Sequence, residues 1–223
     1  MKPMTEQHLA ILRRHMVEIV DMHFDLAADE IGKEELDPDL RRALMDVPRH
    51  LFVPQSLAAV AYQDTPLPIG FDKTISQPFI GALMLDLLDL RPGQRVLEIG
   101  TGLGYQAAVM AEMGCEVFSV EVVEEFAEAA ETRFAALGYA VQVRVGDGSR
   151  GWEEHAPYDA VLVTAAAPEP PFELLGQLRP GGRMVLPIGV GDVQKLSLVE
   201  KRADALAEVR EVMPVRFTQL ELS

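Results

Sequence analysis

Few local features restrict a fold as tightly as a run of apolar residues that breaks into glycines at every second position. The stretch VLEIGTGLG at 96–104 does this: Val96, Leu97 and Ile99 suit a short buried parallel strand, and Gly100, Gly102 and Gly104 follow before an alanine-rich helical segment begins at about Ala107. The pattern reads as strand, tight turn and helix start. Glycine suits such a turn because its backbone angles exclude a Cβ and because a ligand can then approach the main chain. The N-terminus of the following helix offers unpaired N–H groups to a polar ligand.

Spacing narrows the ligand. A dinucleotide fingerprint, G-x-G-x-x-G, would put its third glycine at Tyr105, and here it comes one place early. Glu98-x-Gly100-x-Gly102-x-Gly104 resembles the first motif of S-adenosylmethionine-dependent methyltransferases, with another nucleotide site or a plain structural turn as the competing readings. The ends of the next two strands bear on the choice. Glu121 closes the second strand, 21 residues beyond Gly100, where a carboxylate can accept both hydroxyls of a ribose. Asp147, in Gly146-Asp147-Gly148, closes the third; it can accept from an exocyclic adenine amine while the Gly148 N–H donates to a ring nitrogen. Either acid alone could be a helix cap or turn former. Together with the glycine loop they favour an adenosyl cofactor.

The rest of the chain alternates in the same way. After a helix at 105–113 the pattern predicts a strand at 116–120, a helix at 124–137 and strands at 141–145 and 160–163. A helix at 172–178 and a strand at 184–186 follow. This is an α/β fold, a doubly wound, mostly parallel sheet with helices on both faces, whose ligands bind beyond the carboxyl ends of the strands. From Gln194 onward the pattern turns antiparallel, with strands at 195–200 and 206–212 joined near Ala203-Asp204 and a last strand at 215–222. Upstream, the spacing predicts an amphipathic helix at 5–28 and a helix opened by Asp37-Pro38 that ends before Pro48. Residues 64–78, with three prolines and a glycine, predict an irregular binding loop, and Pro78 opens a helix that ends near Arg91-Pro92. The reading is one domain, 1–223, in which 1–78 is a helical and loop extension on the substrate side and 79–223 the cofactor-binding core.

Composition excludes several partners. A net charge of -15 argues against nucleic acid and against anionic membrane surfaces. No apolar stretch in the first 30 residues is uninterrupted, so neither a signal peptide nor a span is expected, and the one cysteine, Cys115, fits a reducing, cytoplasmic setting. His8, His15 and His23 lack partners at ligand spacing and read as solvated or core residues, so no metal is expected.

Longer motifs sharpen the reading. LPIG at 67–70, TISQP at 74–78, VLEIGTGLGYQ at 96–106, GDG at 146–148, APYDAVLVTAAAPEPP at 156–171, LRPGGRMVLPIG at 178–189 and VRFTQL at 215–220 closely resemble the protein-L-isoaspartate O-methyltransferases, in the family's order. The resemblance implies a Rossmann-like class I methyltransferase. It would esterify the α-carboxyl group of isoaspartyl residues, which arise when Asn deamidates or Asp isomerises, in damaged proteins or peptides. It implies S-adenosyl-L-methionine as cofactor and S-adenosyl-L-homocysteine as product; a monomer is expected, although sequence does not fix the oligomeric state. Ser76 matches the active-site serine, with Thr74 beside it and Ile75 beside the cofactor's sulfonium. Glu98, Gly100, Gly102 and Gly104 match the cofactor loop, Glu121 and Val122 the ribose side, and Asp147 and Gly148 the adenine side. Thr164, Ala165 and Ala166, with Val215 and Phe217, correspond to walls of the substrate cleft. Two stretches depart from the family: Gly70-Phe71-Asp72-Lys73 before TIS, and an expanded region at 23–37. The altered entry to TISQP keeps open a related carboxyl methyltransferase acting on a dedicated peptide aspartate or another carboxylate; in another class stands a non-catalytic cofactor-binding recognition protein, against which the intact Ser76 and acid set weigh.

Overall fold

Capping side chains set where the N-terminal helices begin. In the computed structural model, which describes residues 4–203 and 206–221, Thr5 Oγ1 accepts from the His8 N–H at the start of α1 (Glu6–Leu26). A short α2 (Ala28–Ile31) follows. Asp37 then accepts from Asp39 and Leu40 N–H groups and, with Pro38 at the first position, opens α3 (Pro38–Asp46). Two 3-10 turns, Arg49–Phe52 and Gln55–Val60, lead into residues 64–78.

That segment corrects the expectation of an irregular loop. β1 (Leu67–Gly70) and β2 (Lys73–Ile75) pair antiparallel. Phe71 and Asp72 turn between them with φ of 49° and 55°, the left-handed pair that a two-residue hairpin demands. The hairpin was hidden because neither turn residue is glycine or asparagine, and because proline, which breaks central strands, is tolerated at Pro68 in an edge strand. Next comes α4 (Pro78–Leu87), which stops short of Arg91-Pro92 where Asp89 turns left-handed at φ 52°.

The remaining elements follow the expected alternation: β3 (Arg95–Ile99), α5 (Tyr105–Glu112), β4 (Glu116–Glu121), α6 (Glu124–Leu137), β5 (Val141–Val145), β6 (Tyr158–Val163), α7 (Phe172–Gln177), β7 (Leu178–Val190), β8 (Val193–Lys201) and β9 (Ala207–Val215). The described residues form a seven-stranded sheet in the order β5-β4-β3-β6-β7-β8-β9, parallel as far as β7 and antiparallel from there. The winding reverses between β3 and β6, the position where such sheets hold ligands. β7 is much longer than 184–186 because it pairs with β6 on one side and β8 on the other.

The expected last strand at 215–222 is corrected too. β9 runs on to Val215 and the chain then leaves the ladder; among the described residues beyond it, an isolated bridge pairs Gln219 with Ala166. The physical reason lies in Gln194, whose side-chain amide accepts from the Phe217 N–H at 2.7 Å and donates to the Phe217 carbonyl at 3.0 Å. A side chain thus replaces a strand partner. Leu222, at the end of that expectation, and Asp204, in the expected β8–β9 turn, lie outside the described residues.

Alternation along the strands separates two apolar layers. Val96, Ala160 and Leu162 face α1, α3, α4, α5 and α6, whereas Leu97, Ile99, Val161 and Val163 face α7 and its neighbours. Helices therefore cover both faces, unequally. Among the described residues no helix is long and apolar enough to cross a membrane.

The N-terminal helices share the first layer: Phe24 of α1 is fully buried, edge-on to Phe79 of α4 at 5.9 Å. Phe24→Ala should cost about 3–5 kcal/mol within one cooperative unfolding transition, measured by denaturant titration. An early transition that leaves the sheet signal intact would instead make α1 a separate appendage.

Candidate active site

The glycine loop is shaped as much by packing as by access. A Cβ at Gly100 would sit 2.3 Å from Thr164 Oγ1, and one at Gly104 would sit 2.6 Å from the Phe134 ring. Thr164, directly after β6, uses the vacant space at position 100: its hydroxyl lies 3.0 and 2.9 Å from the carbonyls of Ile99 and Gly100, and its N–H donates to Ile99 at 2.9 Å. The loops on either side of the winding reversal are bonded to each other.

Beneath the loop runs a chain of hydroxyls. Ser119 donates to Glu98 Oε2 at 2.5 Å, so its oxygen accepts from Thr101 at 2.6 Å. Glu98 is wholly buried, and burial pushes its carboxyl from 4.5 up to about 8, against the pull of the Ser119 hydrogen bond and with a further rise from the Glu121 charge. Glu98 is therefore neutral near pH 7 and supports the loop from below.

Above the carboxyl ends of β3 and β4 opens a cavity. Gly100, Gly102, Glu121, Val122, Gly148 and Phe126 line it. Glu121 Oε2 accepts from the Gly102 N–H at 2.7 Å and Oε1 from the Val123 N–H at 3.0 Å. Each oxygen keeps a lone pair for a further donor. Gly148 comes so close to Ile99 that a Cβ there would lie 2.3 Å from Ile99 Cγ2. Lys73 of β2 forms an ion pair with Glu221 at the edge of the same cavity.

A second, more open cleft lies alongside, with Ser76, Gln77, Ile80, Gln194, Val215 and Phe217 among its walls. Thr74, Thr164, Thr218 and Gln219 line both cavities, so they form a common partition. The Ser76 hydroxyl makes no hydrogen bond among the described residues, while its carbonyl accepts from Arg49 Nη2 at 2.7 Å.

The structure thus brings Gly100, Gly102, Glu121, Val122, Gly148 and Ala165 to the first cavity, Ser76, Val215 and Phe217 to the second, and Thr74 and Thr164 to both. Ile75, Glu98, Gly104, Asp147 and Ala166 line neither. Ile75 packs into the apolar cores, and Ala166 spends its backbone on Thr218 and Leu220. Asp147 caps the 3-10 turn Gly148–Arg150, accepting from the Ser149 N–H and hydroxyl at 2.9 and 2.7 Å. Sequence reasoning missed Lys73, Phe126, Gln194 and the stretch 218–221. Lys73 carried a signal as a departure directly before TIS, and Thr218 to Leu220 lay within the motif VRFTQL. Among the described residues no group of His, Cys, Asp and Glu is arranged to hold a metal ion.

Comparison with known proteins agrees with this geometry. The sequence profile of the family described as protein-L-isoaspartate(D-aspartate) O-methyltransferase matches residues 26–222. The chain is 50% identical over 219 residues to protein-L-isoaspartate O-methyltransferase 1 of Polaromonas sp. strain JS666, covering 98% of this chain and 93% of the relative. It is 48% identical over 210 residues to protein-L-isoaspartate O-methyltransferase 2 of Syntrophobacter fumaroxidans, covering 93% and 85%. A solved protein-L-isoaspartate O-methyltransferase superposes with a TM-score of 0.79 at 31% identity, covering 93% of this chain; the chain spans 65% of that longer one. A Plasmodium falciparum structure described as a protein-L-isoaspartate O-methyltransferase, with S-adenosyl-L-homocysteine bound, gives a TM-score of 0.73 at 25% identity, covering 83% and 91%.

The buried Glu98 makes stability depend on pH. Its folded value, about 8, lies above the ordinary 4.5, so the folded state keeps a proton that the unfolded chain releases, and stability falls as pH rises through that window. Glu98→Gln removes this loss. Denaturant titrations from pH 4.5 to 8 should show the variant gaining on the parent as pH rises; a constant difference would mean that Glu98 titrates normally.

Proposed function

This chain belongs to the protein-L-isoaspartate(D-aspartate) O-methyltransferase family, and from that premise we propose that it uses S-adenosyl-L-methionine to methylate the α-carboxyl group of L-isoaspartyl residues in damaged proteins and peptides. The observation that carries this reading is the partition. A cavity suited to an adenosyl cofactor and a cleft suited to an extended peptide meet at Thr74 and Thr164, with Ser76 on the peptide side.

The first cavity fits the cofactor. Glu121 offers carboxylate oxygens to vicinal hydroxyls, Ile99, Val120, Val122 and Phe126 supply apolar walls for a flat ring, and Gly100 and Gly102 leave the main chain open to close approach. When bound, the cofactor supplies an activated methyl group and leaves as S-adenosyl-L-homocysteine. The chain's own task is modest. A carboxyl group with an ordinary pKa near 4 is already ionised at neutral pH, so no general base is required. The residues must hold one carboxylate oxygen in line and exclude competing orientations. Ser76 offers a free hydroxyl donor for this, Thr74 a second at the partition, and Phe217, fixed by Gln194, a rigid wall. The methyl ester then favours succinimide formation without the enzyme, and hydrolysis returns some normal aspartate.

We read the enzyme as a cytoplasmic monomer that acts on polypeptides and not on nucleic acid. Its single cysteine, its net charge of -15 and a cleft built within one chain support this.

Transfer of labelled methyl from the cofactor to an isoaspartyl peptide and its normal aspartyl twin tests the reading. Label is expected in the first alone. Label in the twin would favour a dedicated aspartate methyltransferase, and label in neither, with cofactor bound, would sink the proposal. Ser76→Ala should lower turnover by about 10- to 100-fold with cofactor affinity unchanged. Parallel loss of cofactor binding would make Ser76 structural.

A further inference from the structure

Ser76 and Gln77 join β2 to α4 outside any strand or helix, so something else must fix the direction in which the Ser76 hydroxyl points. Two charged side chains grip this short connection. Arg49, 1% exposed, donates from Nη2 to the Ser76 carbonyl at 2.7 Å and from Nε to the Ala61 carbonyl at 2.8 Å. Asp64 accepts from the Gln77 side-chain amide at 2.8 Å and from the Phe79 N–H at 2.9 Å. The Arg49 guanidinium also lies 4.8 Å over the ring of Tyr105, the first residue of α5 directly after Gly104. One buried group therefore touches both the acceptor segment and the helix that ends the glycine loop.

A buried guanidinium is an expensive way to fill a core. Desolvation of a charge costs several kcal/mol, and apolar residues of similar volume often serve the fold as well or better. Burial lowers the Arg49 pKa, while the charge of Asp64 opposes that shift. What an apolar side chain cannot supply is a rigid fork of donors reaching two carbonyls at once. Asp64 is anchored in turn by His23 of α1, whose Nδ1 lies 3.2 Å from Oδ2. The clamp extends from the N-terminal helix to the acceptor segment.

We propose that Arg49 and Asp64 are positioning residues for methyl transfer, which hold the backbone at 76–79 so that the Ser76 hydroxyl stays in register with the cofactor loop. The inference rests on the reading of the partition as the site of transfer. It extends that reading to residues that line neither cavity.

The test uses the full chain with Arg49→Lys and Asp64→Asn, each conserving size. Steady-state kinetics with the isoaspartyl peptide are compared with S-adenosyl-L-homocysteine affinity by calorimetry and with the thermal midpoint. Arg49→Lys, which keeps the charge but loses the fork, should lower kcat by about 10- to 100-fold, and Asp64→Asn by about tenfold. For both, peptide KM and product affinity should stay within about threefold of the parent, as expected when geometry rather than binding is lost. Unchanged kcat in both variants, or a fall in kcat matched by an equal loss of affinity, overturns the proposal. If Arg49→Lys does not fold, Asp64→Asn decides by the same split; failure of both to fold assigns the pair to the core and also overturns it. A parent enzyme that does not methylate the isoaspartyl peptide refutes the functional reading instead.

Discussion

Everything in this site depends on the hydroxyl of Thr164 fitting where position 100 has no side chain. The two central strands, β3 and β6, lie side by side but send their chains in opposite directions across the sheet, and such a divergence opens a crevice. Thr164 bonds its two lips together through the carbonyls of Ile99 and Gly100. The bond fixes the crevice width while leaving Thr164 as part of the partition between the two cavities. Any residue but glycine at position 100 would push this hydroxyl away. Gly100 and Gly104 thus serve the protein's own packing as well as access to the main chain.

Glu98 and Glu121 show how one sheet uses two acids differently. Both lie toward the carboxyl ends of adjacent central strands and both are buried. Glu98 receives a hydroxyl bond on one oxygen only, and burial keeps its proton on. Glu121 receives a backbone N–H on each oxygen, from Gly102 and Val123, and faces the cavity. A neutral Glu98 can lie under the loop without placing a charge there.

The legible parts of the sequence were those governed by local rules. The apolar run at 96–99, the glycines after it and the acid at the end of the next strand have fixed periods and spacings, and the sheet, its winding and Glu121 followed from them. The hairpin at 67–75 was not legible because its turn residues, Phe71 and Asp72, adopt left-handed angles without the usual composition. The path of 216–221 escaped because Gln194, distant in sequence, replaces a strand partner for Phe217. Asp147, whose spacing pointed to a ligand, also caps a 3-10 turn, a local role that spacing did not reveal. Arg49 and Asp64 could not be found from spacing, since each works through backbone groups that only the tertiary fold brings near.

The partition of Thr74, Thr164, Thr218 and Gln219 has a thermodynamic consequence. These residues present one surface to each cavity, so any adjustment they make to an occupant on one side changes the wall met by an occupant on the other. Coupling of this kind is reciprocal. Whatever factor a filled first cavity contributes to peptide affinity, a bound peptide returns to the occupant of the first cavity. On the proposed reading, exchange of the spent donor and release of the esterified chain would be linked equilibria, joined through these four residues.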